Sequence, residues 1–147
     1  MNKLEGKVID MLLIEDNPGD VRLAQEALNE SKVRNKLYVV EDGVEAMKFL
    51  LNKDKYADSP RPDLILLDLN LPRKSGREVL KEIKEDKNLR RIPVVVLTVS
   101  NAEEDILKCY DNYANCYITK PLDFNQFLKV TREIGEFWLT IVKLPPK

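Results

Sequence analysis

Apolar positions gather in short blocks separated by polar, turn-rich stretches. Val8 to Ile14 is apolar except at Asp10, Lys36 to Glu41 holds Tyr38-Val39-Val40, and Leu64 to Leu67 and Val94 to Leu97 are unbroken. Cys116-Tyr117-Ile118 is a fifth, shorter block. Short apolar runs of this kind suit strands buried on both faces, as in a parallel sheet under helices. Between the blocks the spacing changes to three and four. Asn17-Pro18-Gly19-Asp20 opens a helix, with Asn17 at the N-cap, Pro18 at the first helical position and Asp20 as a short variant of the capping-box acid. Val21, Ala24 and Leu28 form its inward stripe, widened by Leu23 and Ala27.

Asp42-Gly43 starts a second helix with Val44, Met47 and Leu51 inward, and a third runs from about Arg77 to Asp86 with Val79, Leu80 and Ile83 inward. Ala102 to Tyr113 reads as a fourth, with Glu103, Glu104 and Asp105 in the first turn, where the helix dipole favours acids. A last helix begins at about Asp123 and ends near residue 143, before Pro145-Pro146. The connection from about Asn52 to Pro62 is long, polar and proline-containing, which makes it a surface loop, either an inert excursion or a partner contact. Five strands alternating with five helices predict a doubly wound α/β domain, with right-handed crossovers placing helices on both faces of a parallel sheet.

Composition narrows the picture. At 147 residues the whole chain, 1–147, is expected to be one domain with a core of ordinary size. A net charge of −1 provides no basic field for nucleic acid. Absence of histidine excludes His-based zinc sites and Ser-His-Asp triads. Cys109 and Cys116 form no disulfide framework or CxxC pair, consistent with a reducing compartment. No signal-peptide pattern or membrane-length apolar run is present, so the expected location is the cytoplasm, with no membrane partner.

In an open α/β sheet, ligand sites lie beyond the carboxyl ends of the strands. That edge here receives Glu15 and Asp16 after the first strand, Asp68 after the third, Thr98 after the fourth and Lys120 after the fifth. Taken singly, each residue has a plain reading. Asp68 opens a turn, Glu15-Asp16 starts a helix, Thr98 ends a strand and Lys120 is a solvated loop lysine. Taken together, three carboxylates would repel and raise one another's pKa unless a cation neutralised them. Hard oxygen donors in this number suit Mg²⁺. A carboxylate can form an acyl phosphate, and phosphoryl transfer is mostly positioning and charge neutralisation. Asp68 would then be the nucleophile, with Lys120 and Thr98 each binding a phosphoryl oxygen.

Leu13-Ile14-Glu15-Asp16-Asn17, Leu66-Leu67-Asp68-Leu69-Asn70-Leu71-Pro72, Val96-Leu97-Thr98 and Ile118-Thr119-Lys120-Pro121 resemble the receiver domain of two-component response regulators over roughly Val8 to Ile134. The resemblance implies a flavodoxin-like (βα)5 fold with strand order 2-1-3-4-5. It implies Asp68 as phosphoacceptor from a sensor histidine kinase, Asp16 as direct Mg²⁺ ligand, Glu15 as a second acid acting through water, and the Asn70 carbonyl completing the metal site. Thr98 matches the switch hydroxyl, Tyr117 the switch aromatic and Lys120 the phosphate-binding lysine before a proline that is typically cis. Asn70 and Ser100 fall where dephosphorylation is tuned. The implied role is a signalling switch, supporting its own phosphoryl transfer and slow dephosphorylation, rather than a turnover enzyme. Glu15 stands where aspartate is common in the family.

Other classes fit less well. An aspartyl phosphatase needs a second acid two residues after the nucleophile, where this chain has Asn70. A nucleotide- or flavin-binding module wants a phosphate loop after the first strand, where Glu15-Asp16 would repel the ligand. A degenerate scaffold would have lost some of the acids, the threonine or the lysine. The last helix carries Phe127, Val130, Ile134, Phe137 and Ile141 in one strip and Phe124, Leu128, Trp138 and Val142 in another. The two strips are either one wide core face or a core face plus a homodimer or kinase-docking surface. Gly135 to Thr140, Lys143-Leu144-Pro145 and the long loop before Asp63 are similar to stand-alone regulators paired with phytochrome-type sensor kinases. With no output domain read in the chain, the response is expected to pass to a downstream protein target or a phosphotransfer protein.

Overall fold

A computed structural model of the chain describes residues 4–31, 33–99, 106, 116–120 and 123–133. Its elements are β1 (Leu4–Ile14), α1 (Pro18–Asn29), β2 (Val33–Val40), α2 (Gly43–Leu50), a single 3-10 turn (Asp54–Tyr56), β3 (Leu64–Leu67), α3 (Gly76–Glu85), β4 (Val94–Thr98), β5 (Cys116–Thr119) and α4 (Phe124–Glu133). Ser100, Pro121 and the last helix beyond Glu133 lie outside the described residues. So does the helix expected over Ala102 to Tyr113, except Ile106, which is helical.

The five strands form one parallel sheet in the order β2-β1-β3-β4-β5, as expected from the family resemblance. β3 is buried along its whole length, and so is β4. Successive side chains of a strand point to opposite faces, which divides the apolar blocks between two cores. Leu12, Ile14, Ile65, Leu67, Val94 and Val96 pack under α2 and α3. Met11, Leu13, Leu64, Leu66, Val95 and Leu97 pack under α1 and Phe127 of α4. Each fully buried leucine or isoleucine contributes roughly 1.5–3 kcal/mol, so both layers hold the sheet from which the site projects.

Three helix starts follow from local capping. Asn17, Asp42 and Ser75 accept the backbone N–H of Asp20 (3.1 Å), Glu45 (2.8 Å) and Glu78 (3.3 Å). Some sequence expectations shift. β1 and β2 begin earlier than their apolar runs, with Leu4 opposite Val33, because backbone pairing does not depend on side-chain polarity and β2 is an edge strand. In α2 the buried residues are Gly43, Ala46, Met47, Phe49 and Leu50, whereas Val44 is half-buried and Leu51 is exposed. Leu51 falls after the last helical residue, so the stripe sits one position earlier than the three-four count from Val44.

The long connection after α2 is more ordered than a plain excursion. The Asn52 side-chain amide donates to the carbonyls of Tyr56 (3.1 Å) and Ser59 (2.7 Å). The Tyr56 ring packs on Phe49, and its hydroxyl donates to Glu45 at 2.8 Å.

Candidate functional site

Backbone hydrogen bonding carries three of the site residues one step past the strands. The Glu15 N–H donates to the Val40 carbonyl, that of Asp68 to Ile14 and that of Lys120 to Thr98, at 3.0, 3.0 and 2.7 Å. Glu15, Asp68 and Lys120 are thereby fixed along one edge, and Thr98 ends β4 beside them. Glu15, Asp68 and Thr98 are buried, while Asp16 faces solvent. Oxygens of Glu15, Asp16 and Asp68 lie within 4.8 Å of one another.

Gly76 sets how closely α3 approaches this edge. A Cβ there would come within 2.1 Å of the Asp68 carbonyl oxygen and 2.6 Å of Leu69 Cα, so the first residue of the helix lies directly on the backbone that carries Asp68. The Gly76 N–H donates to the Leu69 carbonyl at 2.9 Å and secures the contact.

The Lys120 ammonium lies among the acids. It donates to Glu15 Oε1 and to Asp20 Oδ2 (2.8 Å), and it stands 3.6 Å from Asp68 Oδ2. Burial alone would lower the lysine pKa, but the hydrogen bonds and charges of Asp20, Glu15 and Asp68 outweigh it and hold the ammonium more firmly protonated than a free lysine. Glu15 goes the other way. Burial first, and then the neighbouring Asp68, push its carboxyl up to about 7 despite the Lys120 contact. One ammonium therefore does not neutralise this group of acids. All-oxygen donors with an uncompensated buried carboxylate fit a hard divalent cation.

Asn70 joins the two sides of the edge. Its N–H donates to Asp68 Oδ1 (3.1 Å) and its side-chain amide to the Thr98 hydroxyl (3.2 Å). Tyr117 lies opposite Val96 in the sheet and is half-buried against the α2/α3 core. Glu15, Asp16, Asp68, Asn70, Thr98 and Lys120 thus share one edge, whereas Ser100 lies outside the described residues.

Asp20 belongs with them, although its sequence position pointed only to helix capping. Asn17 caps α1, and the Asp20 carboxylate turns instead to Lys120. No local signal marks it, because its partner is 100 residues away.

A parallel sheet of this order with an acidic pocket and a lysine at its carboxyl edge defines a receiver. The chain belongs to the response regulator receiver domain family, which it matches over residues 11–132. It is 50% identical over 135 residues to the response regulator Rcp1 of Synechocystis sp., covering 92% of each chain. Among solved structures, the phosphorylated cyanobacterial phytochrome response regulator RcpA superposes with a TM-score of 0.90 at 51% identity, over 95% of this chain and 100% of that one. The Mn²⁺-bound form of Rcp1 superposes with a TM-score of 0.87 at 48% identity, over 94% and 99% of the two chains. The chain is thus a two-component signalling receiver, and among the described residues no helix is long and apolar enough to cross a membrane.

Proposed function

We propose that Asp68 is the phosphoacceptor of this receiver and that the phosphoryl group comes from a phosphohistidine on a sensor kinase. The observation that carries the reading is the meeting of three carboxylates, one ammonium and one buried hydroxyl at a single sheet edge. An Asp68 carboxylate oxygen attacks phosphorus, an O–P bond forms, and the P–N bond to the donor imidazole breaks, leaving its electron pair on nitrogen. The Asn70 N–H holds Asp68 Oδ1, which limits rotation of the attacking carboxylate. Lys120 neutralises one phosphoryl oxygen, and Thr98 hydrogen-bonds another after leaving the Asn70 amide. Tyr117 then reorients with Thr98, and Asn70 and Ser100 set the rate at which water removes the phosphoryl group.

Mg²⁺ is the cation proposed for Glu15, Asp16, Asp68 and the Asn70 carbonyl, where it would neutralise charge on the transferring group. The protein acts as a switch with slow self-dephosphorylation, not as a turnover enzyme. Residues 1–147 act as one cytoplasmic receiver domain. Similarity to the phytochrome response regulators supports a phytochrome-type kinase as donor. The response passes to a downstream protein or a phosphotransfer protein, with the last helix as a homodimer surface. To shift a switch from about 1:99 to 99:1, phosphorylation must favour one conformer by about 5.5 kcal/mol.

Intact-mass measurement after incubation with acetyl phosphate and Mg²⁺ tests the central claim. One phosphate adduct that disappears in Asp68→Asn is expected; an adduct that survives the substitution, or no adduct, refutes it. Sedimentation of a Trp138→Ala, Ile141→Ala variant tests the dimer, which fails if the mass is unchanged from wild type.

A further inference from the structure

We propose that Asp20 is a positioning residue: it restrains the Lys120 ammonium on the α1 side of the site and so sets how readily a phosphoryl group on Asp68 captures that ammonium. The proposal rests on Asp68 being the phosphoacceptor. Lys120 Nζ is 2.8 Å from Asp20 Oδ2 but 3.6 Å from Asp68 Oδ2, beyond the ordinary hydrogen-bond range. An ammonium on a flexible stem acts as a compact point charge, so it settles where the surrounding charges balance.

The Lys120 side chain is 9% exposed, and its ammonium is fixed by ion pairs. Its side chain borders a cavity of about 10 Å³, room for about one water, which Leu13, Leu23, Leu97 and Phe127 line together with Glu15 and Asp20. Asp68 does not line this cavity. The ammonium is thus held by ion pairs, with room for about one water beside the side chain. Of its carboxylate partners, Glu15 and Asp68 belong to the three-carboxylate cluster and Asp20 does not. Asp20 sits in the first turn of α1 with its side chain 35% exposed, and it meets the site through Lys120. A phosphoryl group on Asp68 brings up to about two negative charges, and its oxygens compete with Asp20 for the same cation. Removing the Asp20 charge frees the ammonium for the phosphoryl group.

The test is calorimetric titration of the full chain with beryllofluoride, a phosphoryl analogue, in the presence of Mg²⁺. Asp20→Asn is expected to bind about threefold to fivefold more tightly than wild type, the scale of a partly exposed ion pair. Asp20→Glu, which restores the charge, should return the affinity towards wild type. In a Lys120→Met background, Asp20→Asn should change nothing, whereas a purely structural effect would persist. Should Asp20→Asn not fold, Asp20→Ser replaces it, because serine suits the first turn of a helix. Equal or weaker binding by the folded variant, or the same gain without Lys120, overturns the proposal. If wild type does not bind the analogue at all, the phosphoacceptor reading fails instead.

Discussion

Gly76→Ala is a direct test of how α3 supports Asp68, the proposed phosphoacceptor. Gly76 is not in the left-handed region, so glycine is needed there for space and not for its backbone freedom. The added Cβ would lie 2.1 Å from the Asp68 carbonyl oxygen, where ordinary contact begins at 3.4 Å, so α3 and the Asp68-Leu69 backbone must separate by about 1.3 Å. The obstructing atoms are backbone and have no rotamer to escape into. Overpacking of this kind costs about 1–3 kcal/mol, and the smaller unfolded-state entropy of alanine offsets about 0.4–1 kcal/mol of it. The expected net loss is roughly 1–2 kcal/mol, a fall in Tm of roughly 2–8 °C for a chain of this size. Misplacing a reacting group by about 1 Å can cost up to about a hundredfold in rate, so labelling by acetyl phosphate should slow by about tenfold or more. Gly19→Ala is the milder comparison: its Cβ meets a single side-chain atom, the capping Oδ1 of Asn17 at 3.2 Å, which has to give by only a few tenths of an ångström, so this variant should lose less stability than Gly76→Ala. Thermal melts and timed intact-mass spectra give both quantities. If Gly76→Ala melts and labels like wild type, α3 does not bear on Asp68 as described.

Two further outcomes follow from the same geometry. Tyr56→Phe keeps the ring against Phe49 but loses the hydroxyl bond to Glu45, and urea denaturation should show a loss of about 1 kcal/mol; no loss would mean that this bond does not help to hold the loop. At the proposed Mg²⁺ site, proton and metal would compete for Glu15, whose carboxyl is pushed up to about 7, so Mg²⁺ affinity should fall as pH drops through that value, by up to about tenfold per unit. Glu15→Gln should flatten the profile between about pH 6 and 8, and a flat wild-type profile would contradict the assignment.

The sheet and most of the edge were legible because they rest on local patterns. Leu64 to Leu67 is uniformly apolar and is buried throughout, and the polar residue that ends each inner run marks where the strand leaves the core. Strand length was less legible at Leu4, where pairing with Val33 is a property of the backbone. The phase of α2 was misjudged at Leu51 because apolar character alone does not show where a helix stops. Asp20 was missed for another reason: a capping role already accounted for an acid in that turn. Its actual partner follows β5, at the far edge of the sheet and 100 residues away, and no spacing rule reaches that far.

The bonds from Lys120 to Glu15 and Asp20 close loops of 105 and 100 residues, among the most distant pairings a chain of this length can make. Such contacts bring their reward late in folding, after the intervening chain has been ordered. A chain with β1 and β3 paired but β5 undocked has its acids gathered and no ammonium among them. On the role proposed for Lys120, phosphoryl capture then has to wait for β5 to dock. A copy with β5 undocked holds the proposed acceptor carboxylate without its ammonium, so the competence proposed for this edge arrives only with the last strand of the sheet.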